Sequence, residues 1–190
     1  MEKEGVLTIA ILVFGVFAGV LGDSLILLSI FDILIIILAI VIAKKHNICE
    51  FKMSYLNSKN CKIIIFLFLL SSLISHVYIY WLEYSGLIGS INKKYLITGP
   101  FIYRIIRGVV FAPIVEELIF RGVIIGKIFK NKPYIGIIVS SITFGFAHIG
   151  KGLVIVPMHI ITGLIFSIAY YKTKRLEVPI TIHALKNIFF

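Results

Sequence analysis

The sequence is short of charge, and shortest of acid. Of its 190 residues, 9 are Asp or Glu and 19 are Lys or Arg, so charged residues make up only 15%. Soluble domains carry about 25% charged and about 45–50% apolar residues. Here 59% are hydrophobic and the mean hydropathy is +1.05, which excludes a water-soluble globular enzyme. Cysteine is scarce as well. Cys49 and Cys61 are the 2 in the chain; without metal-type spacing they argue against a disulfide framework or a redox motif. His-Glu-x-x-His is absent, as are a phosphate-cradling glycine loop and a recognisable serine-nucleophile motif, although Ser140 and Ser141 occur late in the chain.

What is present is a series of long apolar runs, at 6–21, 24–43, 63–82, 101–129, 134–149, 153–171 and 180–190. A bilayer core of about 30 Å needs about 20 apolar residues per helix. The length therefore accommodates about seven helices, six to eight, and no soluble domain. The runs are too long for barrel strands and do not alternate, and a lipid-embedded backbone must satisfy its own hydrogen bonds. The expected fold is all-α, a polytopic transmembrane helix bundle. The first run lacks a small-residue cleavage site and reads as a retained membrane helix. Tyr78, Tyr80 and Trp81 at the end of the third run suit a lipid–water interface. No internal repeat stands out.

The net charge of +10 lies in cations between the runs, which suits contact with anionic lipid and not with nucleic acid. Seven spans would gather Lys3, the lysines of 44–62, those of 127–132 and those of 172–175 with Arg175 on one side. Lys93, Lys94, Arg104, Arg107, Lys151 and Lys186 would fall on the other. The positive-inside rule then puts the N-terminus in the cytoplasm.

Ionisable groups inside the runs carry more information. Each costs about 2.5–3.5 kcal/mol at a helix centre, so such groups face a bundle interior or a wet cavity. The 101–129 run holds Glu116, Glu117 and Arg121. Glu117 and Arg121 are one helical turn apart and can pair; Glu116 is rotated by about 100° and needs another partner. His148 follows Phe144 by four residues, and His183 precedes Asn187 by four. A carboxylate and two imidazoles can activate a water near neutral pH, and an amide can donate to an oxyanion. Glu116, His148, His183 and Asn187 are thus the candidate hydrolytic residues. His46, His76 and His159 are expected to be packed, hydrogen-bonded side chains.

These residues fall into three patterns. Glu116-Glu117-Leu-Ile-Phe-Arg121 resembles the Glu-Glu-x-x-x-Arg motif of the CPBP intramembrane proteases, the family of type II CAAX prenyl endopeptidases and bacterial Abi proteins. Phe144-Gly-Phe-Ala-His148 resembles its Phe-x-x-x-His motif, and His183-Ala-Leu-Lys-Asn187 its His-x-x-x-Asn motif. The resemblance divides the chain into residues 1–100, transmembrane helices without a recognisable motif, and 101–190, a CPBP/Abi-like catalytic core. It implies that Glu116 activates water with His148, that His183 and Asn187 stabilise the oxyanion or complete the polar site, and that Glu117, Arg121 and Phe144 support it. It leaves two chemistries open: a divalent metal such as Zn²⁺ held by His148, His183 and Glu116, or a metal-free glutamate mechanism, which gives each polar group one role and is preferred here.

The expected function is that of an intramembrane endopeptidase of a prokaryotic cell membrane, acting on a membrane-associated peptide or protein. A prenylated C-terminus and a bacteriocin-like peptide both qualify as substrates. The alternative is a bacteriocin self-immunity or membrane scaffold protein acting by binding, which would not need all four polar residues together.

Overall fold

The structure is a computed structural model that describes residues 25–48, 51–91 and 100–189. The run at 6–21, Lys3, Cys49 and the connection bearing Lys93 and Lys94 lie outside those residues. The described chain is helical and without strands, as the hydropathy pattern requires. We label α1 Leu25–Lys45, α2 Ser58–Tyr84, α3 the composite helix 101–128, α4 Pro133–Ala147, α5 Val156–Thr173 and α6 Glu177–Phe189. Short 3₁₀ turns link them at Met53–Tyr55, Leu87–Ser90, Ile149–Lys151 and Leu153–Ile155.

The bundle exposes apolar side chains and buries polar ones within an otherwise apolar core. Ile65, Phe66, Leu69 and Leu73 of α2 and Ile135, Ile138 and Ile142 of α4 are exposed, while Asn60, Ser71, Ser75, Ser140 and Ser141 on the same helices are buried. Water would penalise that outer surface; hydrocarbon does not. Ser58–Tyr84 and Leu153–Thr173 are each long and apolar enough to cross a membrane. At 15 residues, α4 rises only about 22 Å, less than the ~30 Å core.

Two boundaries differ from the hydropathy reading. Polar Ser58–Lys62 forms the first turn of α2, capped by Asn57, whose side chain accepts from the Asn60 backbone N–H; the cap and not the apolar run sets that start. Helix α6 begins at Glu177, so Pro179 sits inside its first turn, where its missing N–H costs no helical bond.

Helices α4 and α5 approach closely at two glycines. A Cβ on Gly163 would meet the Phe144 ring at 3.1 Å and the Ser141 backbone at 3.2 Å, and one on Gly145 would collide with the Ile160 side chain. With no hydrophobic driving force between helices in lipid, such small-residue contact is what holds them together. Helix α3 is irregular: Ile106–Phe111 and Leu118–Ile128 are π-helical, on either side of the α-helical Ala112–Glu117. The i→i+5 bonding of π-helix widens the backbone and recurs at functional sites. At the other edge of the bundle, Arg107 pairs with buried Asp32 of α1 at 3.3 Å and donates to the Tyr103 hydroxyl at 3.2 Å.

Candidate active site

Arg121 is the largest fully buried side chain. A guanidinium is tolerated there because both terminal nitrogens and its flat face are occupied, with Nε alone lacking a partner among the described residues. Nη1 donates to Glu117 Oε1 at 3.0 Å, Nη2 donates to the Gly163 carbonyl at 2.8 Å, and the plane lies over the Phe144, Phe166 and Phe120 rings at 4.6, 5.4 and 5.8 Å. The four-residue spacing of Glu117 and Arg121 thus yields the expected ion pair, and Gly163 lets the α5 backbone come near enough to accept from it.

Glu117 carries a second bond. Its Oε1 also accepts from His183 Nδ1 at 2.9 Å, tying α6 to α3. A carboxylate can only accept, so His183 carries its proton on Nδ1, and in the neutral ring Nε2 is a free base. His148 is set the same way: Nδ1 donates to the Phe144 carbonyl at 2.8 Å, which leaves Nε2 as the acceptor. The two Nε2 atoms point to one place. His148 Nε2 lies 4.0 Å and His183 Nε2 3.9 Å from Glu116 Oε2. That oxygen is buried and has no hydrogen-bond partner among the described residues. The separations are too long for direct hydrogen bonds and suit one bridging water.

Phe144 sits at the centre of this arrangement. Its ring is 4.9 Å from His148 and 5.9 Å from His183, besides covering Arg121. Asn187 stands apart. It lies one turn beyond His183, and its Nδ2 donates to the Gly108 carbonyl at 2.7 Å, not to either glutamate or either histidine. Of the four candidate residues, the fold gathers three around one point and puts the fourth at the edge, bonded to the first π segment of α3.

Two neighbours were not legible in the sequence. His159 stacks on His148 with ring centroids 4.0 Å apart, its Nδ1 donating to the Ile155 carbonyl at 2.9 Å. It is a packed, hydrogen-bonded histidine as expected, but its packing partner is a site residue; no spacing between α4 and α5 announces that. Lys151 follows His148 in the next turn, and its ammonium bears electrostatically on Glu116. Burial pushes Lys151 below the ordinary lysine range, with the Glu116 carboxylate opposing the shift. His76 is exposed and bonds its own helix at the Ser72 carbonyl. Ser140 and Ser141 are buried hydroxyls bonded to the Phe120 and Ile137 carbonyls, which commits them to packing. Among the described residues, no three His, Cys, Asp or Glu side chains are grouped as metal ligands would be; Glu116, His148 and His183 meet at a corner wider than a coordination sphere.

The model of the family described as type II CAAX prenyl endopeptidase Rce1-like matches residues 98–189. Residues 98–189, just under half of the chain, are thus similar to the Rce1-like family. That segment holds all three motif patterns and every residue of the Glu116 corner. Among curated proteins, the membrane-embedded CAAX protease MroQ of Staphylococcus aureus (strain USA300) is 49% identical over 51 residues, a stretch that covers 27% of this chain and 20% of MroQ. No solved structure matches. The Rce1-like segment makes the chain an integral membrane protein, in keeping with its outward apolar surface.

Proposed function

We propose that this protein is an intramembrane endopeptidase in which Glu116 is the general base. The observation that carries this reading is the meeting of His148 Nε2 and His183 Nε2 on the partnerless Glu116 Oε2, at 4.0 and 3.9 Å. A water held between Glu116 and His148 gives its proton to the carboxylate and attacks the scissile carbonyl carbon. The oxyanion that forms accepts from the free Nδ2 hydrogen of Asn187 and from His183. Because Nδ1 of His183 is committed to Glu117, His183 donates from Nε2 only when both ring nitrogens carry protons. Glu116 then returns its proton to the leaving amine, and the peptide bond breaks. Glu117 and Arg121 touch no reacting atom; they fix the rotation of His183. Phe144 seals the Arg121 pair from lipid and supports the His148 ring.

The similarity to an Rce1-like domain and to a CAAX protease supports hydrolysis of a membrane-associated peptide or protein. A bound divalent metal would supply a Lewis acid and a more acidic water; His148, His183 and Glu116 are the residues that would hold it after moving closer together. Elemental analysis of active, detergent-purified protein separates the two chemistries. The metal-free reading expects full cleavage after exhaustive chelation. Stoichiometric zinc, with cleavage lost to chelation and restored by zinc, would contradict it.

The test of the endopeptidase reading is Glu116→Gln, which keeps the shape and removes the base. Cleavage of a reconstituted membrane peptide should fall by roughly 10²–10⁴, the usual worth of a general base. Undiminished cleavage by the variant would refute the assignment.

A further inference from the structure

Among the described residues, Asn47 and Lys174 take the left-handed backbone conformation without being glycine, with φ of 52° and 54°. Each closes a helix. After α1 the Ile48 N–H donates to the Ala43 carbonyl at 2.8 Å, and after α5 the Lys174 N–H donates to the Tyr170 carbonyl at 2.7 Å. Asparagine adopts this conformation readily; the Cβ of a lysine crowds the following carbonyl oxygen. Backbone strain of this kind collects at ligand sites.

Both residues line one cavity of about 270 Å³. It lies between Asn47 and Ile48 after α1, Tyr170 of α5, the turn Lys174–Leu176 and Glu177 at the start of α6. Small-molecule sites span roughly 300–1,000 Å³, so this one suits a single headgroup and not a folded partner. Its apolar wall is firm. Ile48 and Leu176 pack with Ala43, Leu118 and Val123. A Cβ on Gly122 of α3 would lie 2.7 Å from the Ile48 side chain and 3.3 Å from that of Leu176.

The polar wall is positive. Glu177 is its acid, and that charge is matched: Oε1 accepts from Arg175 Nη2 at 2.6 Å and from the Lys52 N–H at 2.9 Å, and Oε2 accepts from Arg175 Nε at 3.2 Å. Exposed Lys174 is left as the surplus cation of the lining, its Nζ 3.9 Å from the centroid of the Tyr171 ring. Exposed Lys44 and Lys45 in the last turn of α1 and Lys172 in the last turn of α5 add to it. The stretch Leu153–Thr173 is long and apolar enough to cross a membrane, so a cavity beside its Thr173 end lies at the level of the lipid headgroups. Basic pockets between membrane helices at that level take anionic headgroups.

We propose that this cavity binds the headgroup of one anionic phospholipid, with Lys174 as the cation that meets its phosphate. None of the lining residues belongs to the Glu116 corner, so the proposal stands apart from the endopeptidase reading.

Native mass spectrometry of the full chain, carried in a zwitterionic detergent and titrated with dioleoyl phosphatidylglycerol, tests it. One lipid per chain should bind saturably, and more tightly than dioleoyl phosphatidylcholine, which has the phosphate without net charge. Lys174→Asn removes the ammonium and leaves a residue suited to this backbone; Lys174→Gly serves if the first variant does not accumulate. Either should weaken phosphatidylglycerol binding by about fivefold, the worth of one lysine beside an anionic surface. Lys130→Gln, which removes an exposed cation between α3 and α4 outside the cavity, should leave the affinity unchanged. Wild-type affinity in the Lys174 variant overturns the proposal, as does an equal loss in Lys130→Gln, the mark of diffuse attraction. Inorganic phosphate should fail to displace the lipid at equal concentration; displacement would make this a site for free phosphate and overturn the lipid reading.

Discussion

Both halves of this bundle bury charge, and they do so to different ends. In the contact between α1 and α3, Asp32 accepts from Arg107 through both carboxylate oxygens, at 3.5 and 3.3 Å. The pair is complete, and it joins two helices. In the contact between α3 and α6, Glu117 Oε1 accepts from both Arg121 and His183, and each of the adjacent glutamates keeps an Oε2 with no partner among the described residues; that of Glu116 faces two imidazole nitrogens. A buried carboxylate oxygen without a partner is costly. The fold tolerates that cost at Glu116 and Glu117 and avoids it at Asp32. Burial of charge alone therefore does not mark a reactive group in this protein; an unfilled bonding position beside two aligned bases does.

Substitutions can break this contrast, and the largest effect belongs to Glu116. Glu116→Gln should lower kcat by the orders of magnitude stated above while leaving the thermal midpoint unchanged or raised, because a partnerless buried charge is removed. Next comes Glu117→Gln, which leaves the Arg121 guanidinium buried without its counter-ion. Breaking a buried pair from one side costs about 3–5 kcal/mol, so the yield of folded protein should fall sharply, and any loss of kcat should accompany loss of fold. Asp32→Asn should cost less, about 1–3 kcal/mol, since Arg107 is 28% exposed and keeps access to solvent or headgroups. Cleavage per folded molecule should stay at the wild-type level; a fall in kcat without a fall in midpoint would erase the distinction between the two regions. The smallest change is Ser71→Ala, which removes one bond to the Phe68 carbonyl. It should shift stability by no more than about 1 kcal/mol and leave turnover unchanged. Urea or thermal titrations in detergent, paired with initial-rate assays, measure all four.

Much of this was legible in the sequence because it is local. The Glu117–Arg121 pair follows from four-residue spacing on one helix, and the rotation of Glu116 away from it follows from the helical pitch. The all-α fold follows from hydropathy, since lipid leaves so few ways to satisfy a backbone. What was hidden depends on contacts between helices. The stacking of His159 on His148 needs the close approach of α4 and α5 at Gly145 and Gly163, and a glycine in an apolar run does not say which neighbour it admits. The bond from Asn187 ends on the Gly108 carbonyl, in the π-helical stretch 106–111 of α3 that no residue pattern signals. The His183–Glu117 bond was hidden for the same reason: Glu117 was matched to Arg121 by spacing, and its second partner comes from 66 residues away.

The central claim is that the Glu116 corner activates water against a peptide bond. Cleavage of a reconstituted membrane peptide in ¹⁸O-enriched water, with the products read by mass spectrometry, tests it directly. The account predicts one ¹⁸O in the new C-terminal carboxylate for the wild-type protein, and no product above background for Glu116→Gln at equal folded concentration. Labelled product formed at the wild-type rate by Glu116→Gln would contradict it.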